Sequence, residues 1–423
     1  MSSFKIHHGY YHQRRDFIPH KNTHFRVIPK YITNTTSAVL NITPGLRVAP
    51  YAPLAVGTVP SDASGIGGSL YILSQDVSEN FIILELMTDA SNNYSPTLLY
   101  TFPAEIDLSG IQYALTVSTD GTVFTLCPTY TFNTPPSSTG YVVNLNTDPA
   151  TLTIVDPTYA VTLATGSNAS NVIYSYVDNS SNFIYVYNNG DIATQFDLST
   201  YISQQQPSFI SMSQNGDYVL VNAFTESDSH AIVGNLVDSS WNWTANPVSF
   251  RYSSANAYGS CMSASGQFMY MYASLTQQIA YSLNYGSTWS TIDASGTNSF
   301  NYNGSVAPNM SCSPDGGLLF IYDSSQNAIM YGEILASSQT DGPQYALPSV
   351  TFTPFMEEGG NIINTQTMNV SVQSSGTNVL NDINYCYMLD ESQNIWLNII
   401  YTAYFAGAYE YQQSGGSYTE IFS

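Results

Sequence analysis

Positive charge is what this sequence lacks. Of 423 residues only 8 are Lys or Arg, against 30 Asp or Glu, and the formal net charge is −22 although charged residues make up just 9% of the chain. The acidity comes from missing cations and not from a surplus of carboxylates, which excludes a halophile-style acidic coat. Seven of the basic residues (Lys5, Arg14, Arg15, Lys21, Arg26, Lys30 and Arg47) lie within the first 47 positions, and only Arg251 follows. Residues 1–47 therefore carry 7 − 1 = +6 and residues 48–423 carry 1 − 29 = −28. Without a lysine beyond position 47, the body has no P-loop, kinase-type Lys or Schiff base. A nucleic-acid groove on it is excluded in the same way, because phosphate binding depends on Lys and Arg. Five of the six histidines also fall in the basic stretch, so a Ser-His-Asp arrangement has only His230 to build on.

Cysteine is sparse too. Cys127, Cys261, Cys312 and Cys386 form neither a CxxC pair nor a dense framework. Buried free thiols, acting as small hydrophobes, are the expectation, with disulfides or metal ligands as the alternatives. The start, MSSFKIHHGYYHQRRD, shows no Sec-type signal. No window reaches the ~18 uninterrupted apolar residues of a membrane span; the nearest, Ile395–Tyr411, is broken by Asn, Thr, Gly and Tyr. What the chain has in quantity is aromatics, with Tyr 34, Phe 19 and Trp 4, and a hydrophobic content of 43%. That excludes intrinsic disorder and supplies a sizeable core.

A segment of the form Ser-x-x-Gly before an apolar run recurs. Copies are Ser118-Thr-Asp-Gly121 before VFTL, Ser213-Gln-Asn-Gly216 before DYVLV, Ser263-Ala-Ser-Gly266 before QFMYMY and Ser313-Pro-Asp-Gly316 before GLLFIY. The glycines are 95, 50 and 50 residues apart, and Ser167-Asn-Ala-Ser170 before NVIYSY divides the long interval. Weaker copies start near Gly67-Gly68 and near Leu389-Asp390-Glu391-Ser392, the last after an interval that needs an insertion within Leu335–Leu380. Self-similarity at this period is the signature of a repeat architecture.

Within each repeat the signals are those of strands. Val172–Tyr176 and Phe183–Tyr187 flank Asp178-Asn-Ser-Ser181, and Leu318–Tyr322 and Ala328–Ile334 flank Asp323–Asn327. No stretch has the 3.6-residue periodicity of a surface helix. Four strands with their turns come to roughly 40–50 residues, the size of one propeller blade. The expected fold is therefore all-β: a β-propeller over residues 48–423 with an insertion around 335–380, seven blades with six or eight as neighbouring counts, and an extended basic N-terminal arm over residues 1–47.

Two segments give the repeat a family resemblance. Met310-Ser-Cys-Ser-Pro-Asp-Gly-Gly-Leu-Leu-Phe-Ile-Tyr322 resembles the blade opening of WD40-like and TolB-like propellers. Ser282-Leu-Asn-Tyr-Gly-Ser-Thr-Trp289 is similar to the Asp-box (BNR) motif S-x-D-x-G-x-T-W of sialidase-type and sortilin-type propellers, with Asn284 where Asp is usual. The resemblance implies structural roles for Ser282, Asn284, Gly286, Thr288 and Trp289. Tyr411–Tyr418 and Asp238–Trp243 look like degenerate copies. Sialidase catalysis does not come with the resemblance, since it needs a three-arginine cluster and the body has only Arg251.

Other candidates for chemistry each have a structural counterpart. Asp120, Asn215 and Asp315 sit where Ca²⁺ ligands could stand, but Asx residues there also form turns. Glu357-Glu358 beside Gly359-Gly360 could partner Asp390 as a glycosidase pair, or form a solvated loop. His230, in Asp228-Ser-His230, reads as a histidine on a polar loop. No catalytic, cofactor or metal site is assigned.

The arm interleaves basic and aromatic residues, with Pro19 and Pro29 as breakers. It reads as a tether that orders on a partner, with docking onto its own acidic body and nucleic-acid contact as alternatives. Lys5, Arg14, Arg15, Lys21, Arg26 and Lys30 are its anchor residues. The functional expectation is a non-enzymatic virion or particle surface component, bound through the arm to a capsid or other assembly protein. Its Tyr-, Asn- and Ser-rich propeller face then suits a glycan or a host receptor. A carbohydrate-active propeller and a cellular scaffold propeller are the alternatives.

Overall fold

The structure is a computed structural model, and it describes residues 25–26, 29–39, 47–48, 54–56, 70–76, 78–88, 94–108, 113–118, 121–128, 139–155, 160–168, 171–178, 183–201, 209–224, 229–249, 258–273, 278–293, 310–323, 326–337, 344–346, 350–357, 360–365, 370–374, 381–390, 395–404, 409–414 and 417–422. Among these residues all regular structure is β.

Five sheets are plain antiparallel four-stranded meanders read in chain order, spanning 113–155, 160–197, 209–248, 258–293 and 310–354. These are propeller blades. In the last of them a hairpin, Leu335–Ser337 with Gln344–Ala346, is inserted between the third strand Ala328–Glu333 and the fourth strand Thr353–Pro354. It lies inside the interval in which the repeat spacing calls for extra chain.

Burial follows position in the blade. The second strands Met269–Ala273 and Leu318–Asp323 are buried at every residue. The fourth strands Thr151–Val155, Asp191–Asp197 and Ser290–Asp293 are largely exposed. This is why MYMYA and LLFIY show no polar alternation: both faces of an inner strand are covered by neighbouring sheets.

The core is accordingly distributed between successive sheets. One cluster joins Tyr71, Ile83 and Phe102 to Phe124 and Val143. Others join Ile184 and Val186 to Val219 and Ile232, Leu220 and Val233 to Met269 and Met271, and Tyr270 and Tyr272 to Leu319 and Met330. A fifth joins Phe320 and Phe355 to Cys386, Met388 and Ile400. Each fully buried large side chain contributes about 1.5–3 kcal/mol, so the sheets are held chiefly by face-to-face burial.

The blade count expected from the repeats, seven, exceeds the five meanders of this simple build. The remaining large sheets are composite. In the 47–101 sheet, Arg47–Val48 and Leu54–Val56 both pair with Leu70–Gln75, which continues to Phe81–Thr88 and Tyr94–Thr101. The other sheet runs Val370–Ser374, Asn381–Leu389, Ile395–Tyr404 and then Pro29–Val39, a strand from the far end of the chain.

That last strand corrects the extended arm. Pro29–Val39 lies within the segment read as a tether, yet it pairs along Ile395–Tyr404, with Asn34 opposite Ile400 and Val39 opposite Trp396. Phe25–Arg26 also pairs with Tyr409–Ser414, in a small sheet completed by Ser417–Phe422. The physical reason is edge satisfaction: Ile395–Tyr404 needs a partner for its outer backbone groups, and the β-branched run ITNTTSAV provides one. The segment 381–404 corrects a second point. Leu389-Asp390-Glu391-Ser392 falls between the second and third strands of its sheet, whereas the other turn copies fall between first and second.

The first strands stand in a definite neighbour order. Leu54–Val56 packs beside Tyr113–Val117, and Ala160–Asn168, Phe209–Met212, Tyr258–Met262, Met310–Cys312 and Val370–Ser374 follow in turn. Val370–Ser374 packs again beside Leu54–Val56.

Candidate functional site

The Ser-x-x-Gly repeats are the best-defined constellation, and the backbone explains each residue. In every copy the serine is buried, and its Oγ accepts from the backbone N–H five residues on: Val123 to Ser118 at 2.9 Å, Tyr218 to Ser213 at 2.9 Å, Phe268 to Ser263 at 3.1 Å and Leu318 to Ser313 at 2.9 Å. The Gly N–H donates to the serine carbonyl at 2.8–3.0 Å, and the glycine has φ between 72 and 79°. That left-handed conformation suits a residue without Cβ.

The glycines serve a second purpose. A Cβ on Gly266 would come 2.6 Å from the Tyr218 ring of the preceding blade, and one on Gly316 would come 2.8 Å from Phe268. In both cases the aromatic is the residue that donates to the buried serine of its own turn. The turns at Ser213 and Ser263 therefore each position a ring that locks onto the glycine of the next turn. A chain of backbone bonds runs beside this, with Gln214 N–H to the Ala264 carbonyl at 3.0 Å and Ala264 N–H to the Pro314 carbonyl at 2.8 Å. The signal for the interlock was present in the sequence as an aromatic two positions after Gly216 and Gly266, but strand composition alone does not distinguish it from ordinary core.

The Asx residues of these turns are engaged locally. Asn215 Oδ1 accepts from Ser213 Oγ at 2.6 Å and from Asp217 N–H, and its Nδ2 donates to Asp217 at 2.6 Å. Asp315 accepts from Ser313 Oγ and, at 3.0 Å, from Gly317 N–H. Burial raises the Asp217 carboxyl, and burial with the nearby Tyr285 and Asp217 raises the Tyr218 phenol. Asp120 lies outside the described residues.

Ser282–Trp289 forms the turn between the third and fourth strands of the 258–293 blade. Ser282 Oγ donates to Asn284 Oδ1 at 3.0 Å and accepts from Gly286 N–H at 2.9 Å. Asn284 Oδ1 also accepts from Thr288 N–H at 2.9 Å, while Asn284 Nδ2 reaches Thr288 Oγ1 at 2.9 Å. Trp289 Nε1 donates to the Gly286 carbonyl at 3.0 Å, and its ring packs on the cluster shared with the 209–248 blade. All five residues singled out in the sequence are thus brought together in one turn. The neighbouring Tyr285 is exposed and stacks on Tyr218, centroid to centroid 5.1 Å. By contrast Asp238–Trp243 opens as a two-residue turn, Asp238 and Ser239 at φ 49 and 64°, and continues as strand. Tyr411–Tyr418 spans the terminal hairpin.

The remaining candidates each have a local partner where the structure describes them. Glu357 accepts from Asn361 Nδ2 at 2.5 Å and closes a local turn, whereas Asp390 accepts from Trp396 Nε1 at 2.8 Å. Glu358 and Asp228 lie outside the described residues. His230 sits on the third strand of its blade opposite Ala223, and its ring meets Tyr201 edge to face at 5.1 Å. This corrects the loop placement: a Ser-His pair among polar residues resembles a loop, but the strand Ser229–Val237 begins there. Of the anchor residues, Arg26 and Lys30 lie on strands, and Lys5, Arg14, Arg15 and Lys21, like Arg251 and Arg47's side chain, are outside the description. Among the described residues no three His, Cys, Asp or Glu cluster to hold a metal, and no helix is long and apolar enough to cross a membrane.

No protein-family model matches the chain, and no curated protein matches it. Solved structures do. A complex of KlAtg21 with the coiled coil of AgAtg16 is 10% identical, covering 88% of this chain and 98% of that one, with a TM-score of 0.47. Hydrazine synthase of Kuenenia stuttgartiensis is 12% identical over 89% of this chain and 100% of that one, TM-score 0.48. A structure described as a 6-phosphogluconolactonase of Bacteroides fragilis is 13% identical over 86% and 97%, TM-score 0.41. At such identities these likenesses bring no activity, substrate or partner to this chain.

Proposed function

We propose that the protein is a structural and interaction component of a virion or similar particle: a seven-bladed β-propeller displayed outward and attached through the basic segment that precedes its closing strand. The blade count rests on adding the two composite sheets to the five meanders, and the closed neighbour order of the first strands supports it. The observation that carries the functional reading is the pairing of Pro29–Val39 with Ile395–Tyr404. It ties both ends of the chain into one sheet, so a load on the N-terminal segment passes directly into a closed ring. Residues 1–24 then act as the attachment, with Lys5, Arg14, Arg15 and Lys21 against Asp16, a net 4 − 1 = +3. The partner is an assembly protein with an acidic or aromatic-accepting groove. The propeller face supplies Tyr, Asn and Ser with little charge, suited to a glycan or a host receptor.

Ser213, Asn215, Ser313, Asp315, Asn284 and Glu357 are employed in holding turns. This favours a scaffold over an enzyme. The test is a protein lacking residues 1–24, compared with the full chain for co-sedimentation with particles from the producing cell. The expected result is unchanged thermal unfolding with incorporation reduced at least tenfold. Undiminished incorporation contradicts the attachment, and glycoside turnover lost on a single Asp or Glu substitution contradicts the non-catalytic reading.

A further inference from the structure

Cys261 and Cys312 occupy the first strands of adjacent blades, Tyr258–Met262 and Met310–Cys312, which pack side by side. They are not strictly equivalent in the repeat. Cys312 immediately precedes the turn serine Ser313, as Met262 precedes Ser263, so Cys261 stands one residue earlier. Side chains alternate across a strand, and this offset turns the two cysteines to opposite faces of their own blades. Opposite faces of neighbouring blades look at each other. The packing agrees: Met262 lies against the cluster on the 209–248 side, whereas Cys261 and Cys312 both lie in the cluster between the 258–293 and 310–354 blades. Both thiols are free, and Cys312 lies near enough to Cys261 to contribute to raising its pKa.

We propose that Cys261 and Cys312 are a redox-convertible pair, closing to an inter-blade disulfide that staples two inner strands of the ring. The co-reactant is a low-molecular-weight disulfide. Cys312, the more accessible of the two, attacks as thiolate and releases one small thiol, forming a mixed disulfide. Cys261 then gives up its proton and attacks the Cys312 sulfur, releasing the second small thiol. The protein loses two hydrogens and two electrons, and the small disulfide is reduced to two thiols. Burial and the neighbouring thiol push Cys261 up, which keeps it protonated and unreactive until the mixed disulfide is in place. Cys386 is also buried but packs against Phe320, Met388 and Ile400, with no second cysteine among the described residues of its cluster, so it serves as an internal control.

The bridge closes a loop of roughly fifty residues, for which loop-closure entropy predicts a shift of about 10³-fold in the unfolding equilibrium. The experiment treats the native full chain with oxidised glutathione, quenches with acid and measures intact mass and chymotryptic peptides, since Lys and Arg sites are too few in the body for mapping. The expected result is loss of two hydrogens, a cross-linked peptide containing Cys261 and Cys312, and a higher melting temperature that dithiothreitol reverses. Cys261→Ser should stop at a glutathione adduct on Cys312, and Cys312→Ser should leave Cys261 unmodified. No mass change, a stable adduct on the wild-type protein, or a bridge through Cys127 or Cys386 would overturn the proposal; the wild-type measurement decides even where a variant fails to fold.

Discussion

The run of blades from 209 to 323 and the sheet that joins 370–404 to Pro29–Val39 are built by different rules. In the first, each turn is set by bonds within five residues, and successive turns interlock at the fifty-residue spacing of the repeat. A buried serine holds the N–H five positions on, a glycine at positive φ turns the chain, and the ring so positioned rests on the next glycine. In the second, the decisive contact is between segments more than three hundred and fifty residues apart in sequence, and no turn motif announces it. A repeat can thus specify its own blades locally, while the 370–404 sheet is completed by one non-local strand that the repeat does not describe. Such pairing carries the larger loop-closure cost and forms late.

The comparison can be broken most severely by removing the non-local strand. Deleting residues 1–39 strips the outer backbone partners from Ile395–Tyr404, and an unpaired edge of that length invites pairing with another chain. The expected outcome is a lowered denaturation midpoint with self-association visible in light scattering, whereas deletion of residues 1–24 alone leaves both unchanged. Within the repeats, Gly316→Ala should cost about 2–5 kcal/mol, the sum of a left-handed alanine and a methyl forced against Phe268. Gly190→Ala is the matched control: its φ is also positive, but nothing lies within 4 Å, so only the backbone cost of about 1–2 kcal/mol remains. Equal losses for the two in urea titrations would remove the interlock from the account. Smaller than the Gly316→Ala loss is that of Ser313→Ala, which leaves the buried Leu318 N–H without its acceptor and should cost about 1–3 kcal/mol in the same titration.

What was legible in the sequence divides along the same line. Ser118, Ser213, Ser263 and Ser313 with their glycines could be found because their partners lie within five residues. The Ser282–Trp289 turn was found for the same reason. Pro29–Val39 was not recognised as a strand of the ring because its flanking positive charge and prolines describe a tether, and its partner strand is at the other end of the chain. The copy assigned at Leu389–Ser392 was displaced by one turn, since an Asp-Glu-Ser cluster before an apolar run looks the same between any two strands. Cys261 and Cys312 share a cluster because of a one-residue offset between their repeats, which becomes meaningful only against the observed strand ends. His230 was misplaced because a local polar run outweighed the cross-strand pairing with Ala223 that fixes it.

Pro29–Val39 is the outer strand of the 370–404 sheet within the same molecule. Ser37 and Asn398 are direct partners across Pro29–Val39 and Ile395–Tyr404. A double variant, Ser37→Cys with Asn398→Cys in a background where the four native cysteines are replaced by serine or alanine, should oxidise to an intramolecular bridge. The expected result is a cross-linked monomer on non-reducing gels and a peptide joining positions 37 and 398. Failure to cross-link in the folded protein, or a bridge found only between two copies, would contradict it.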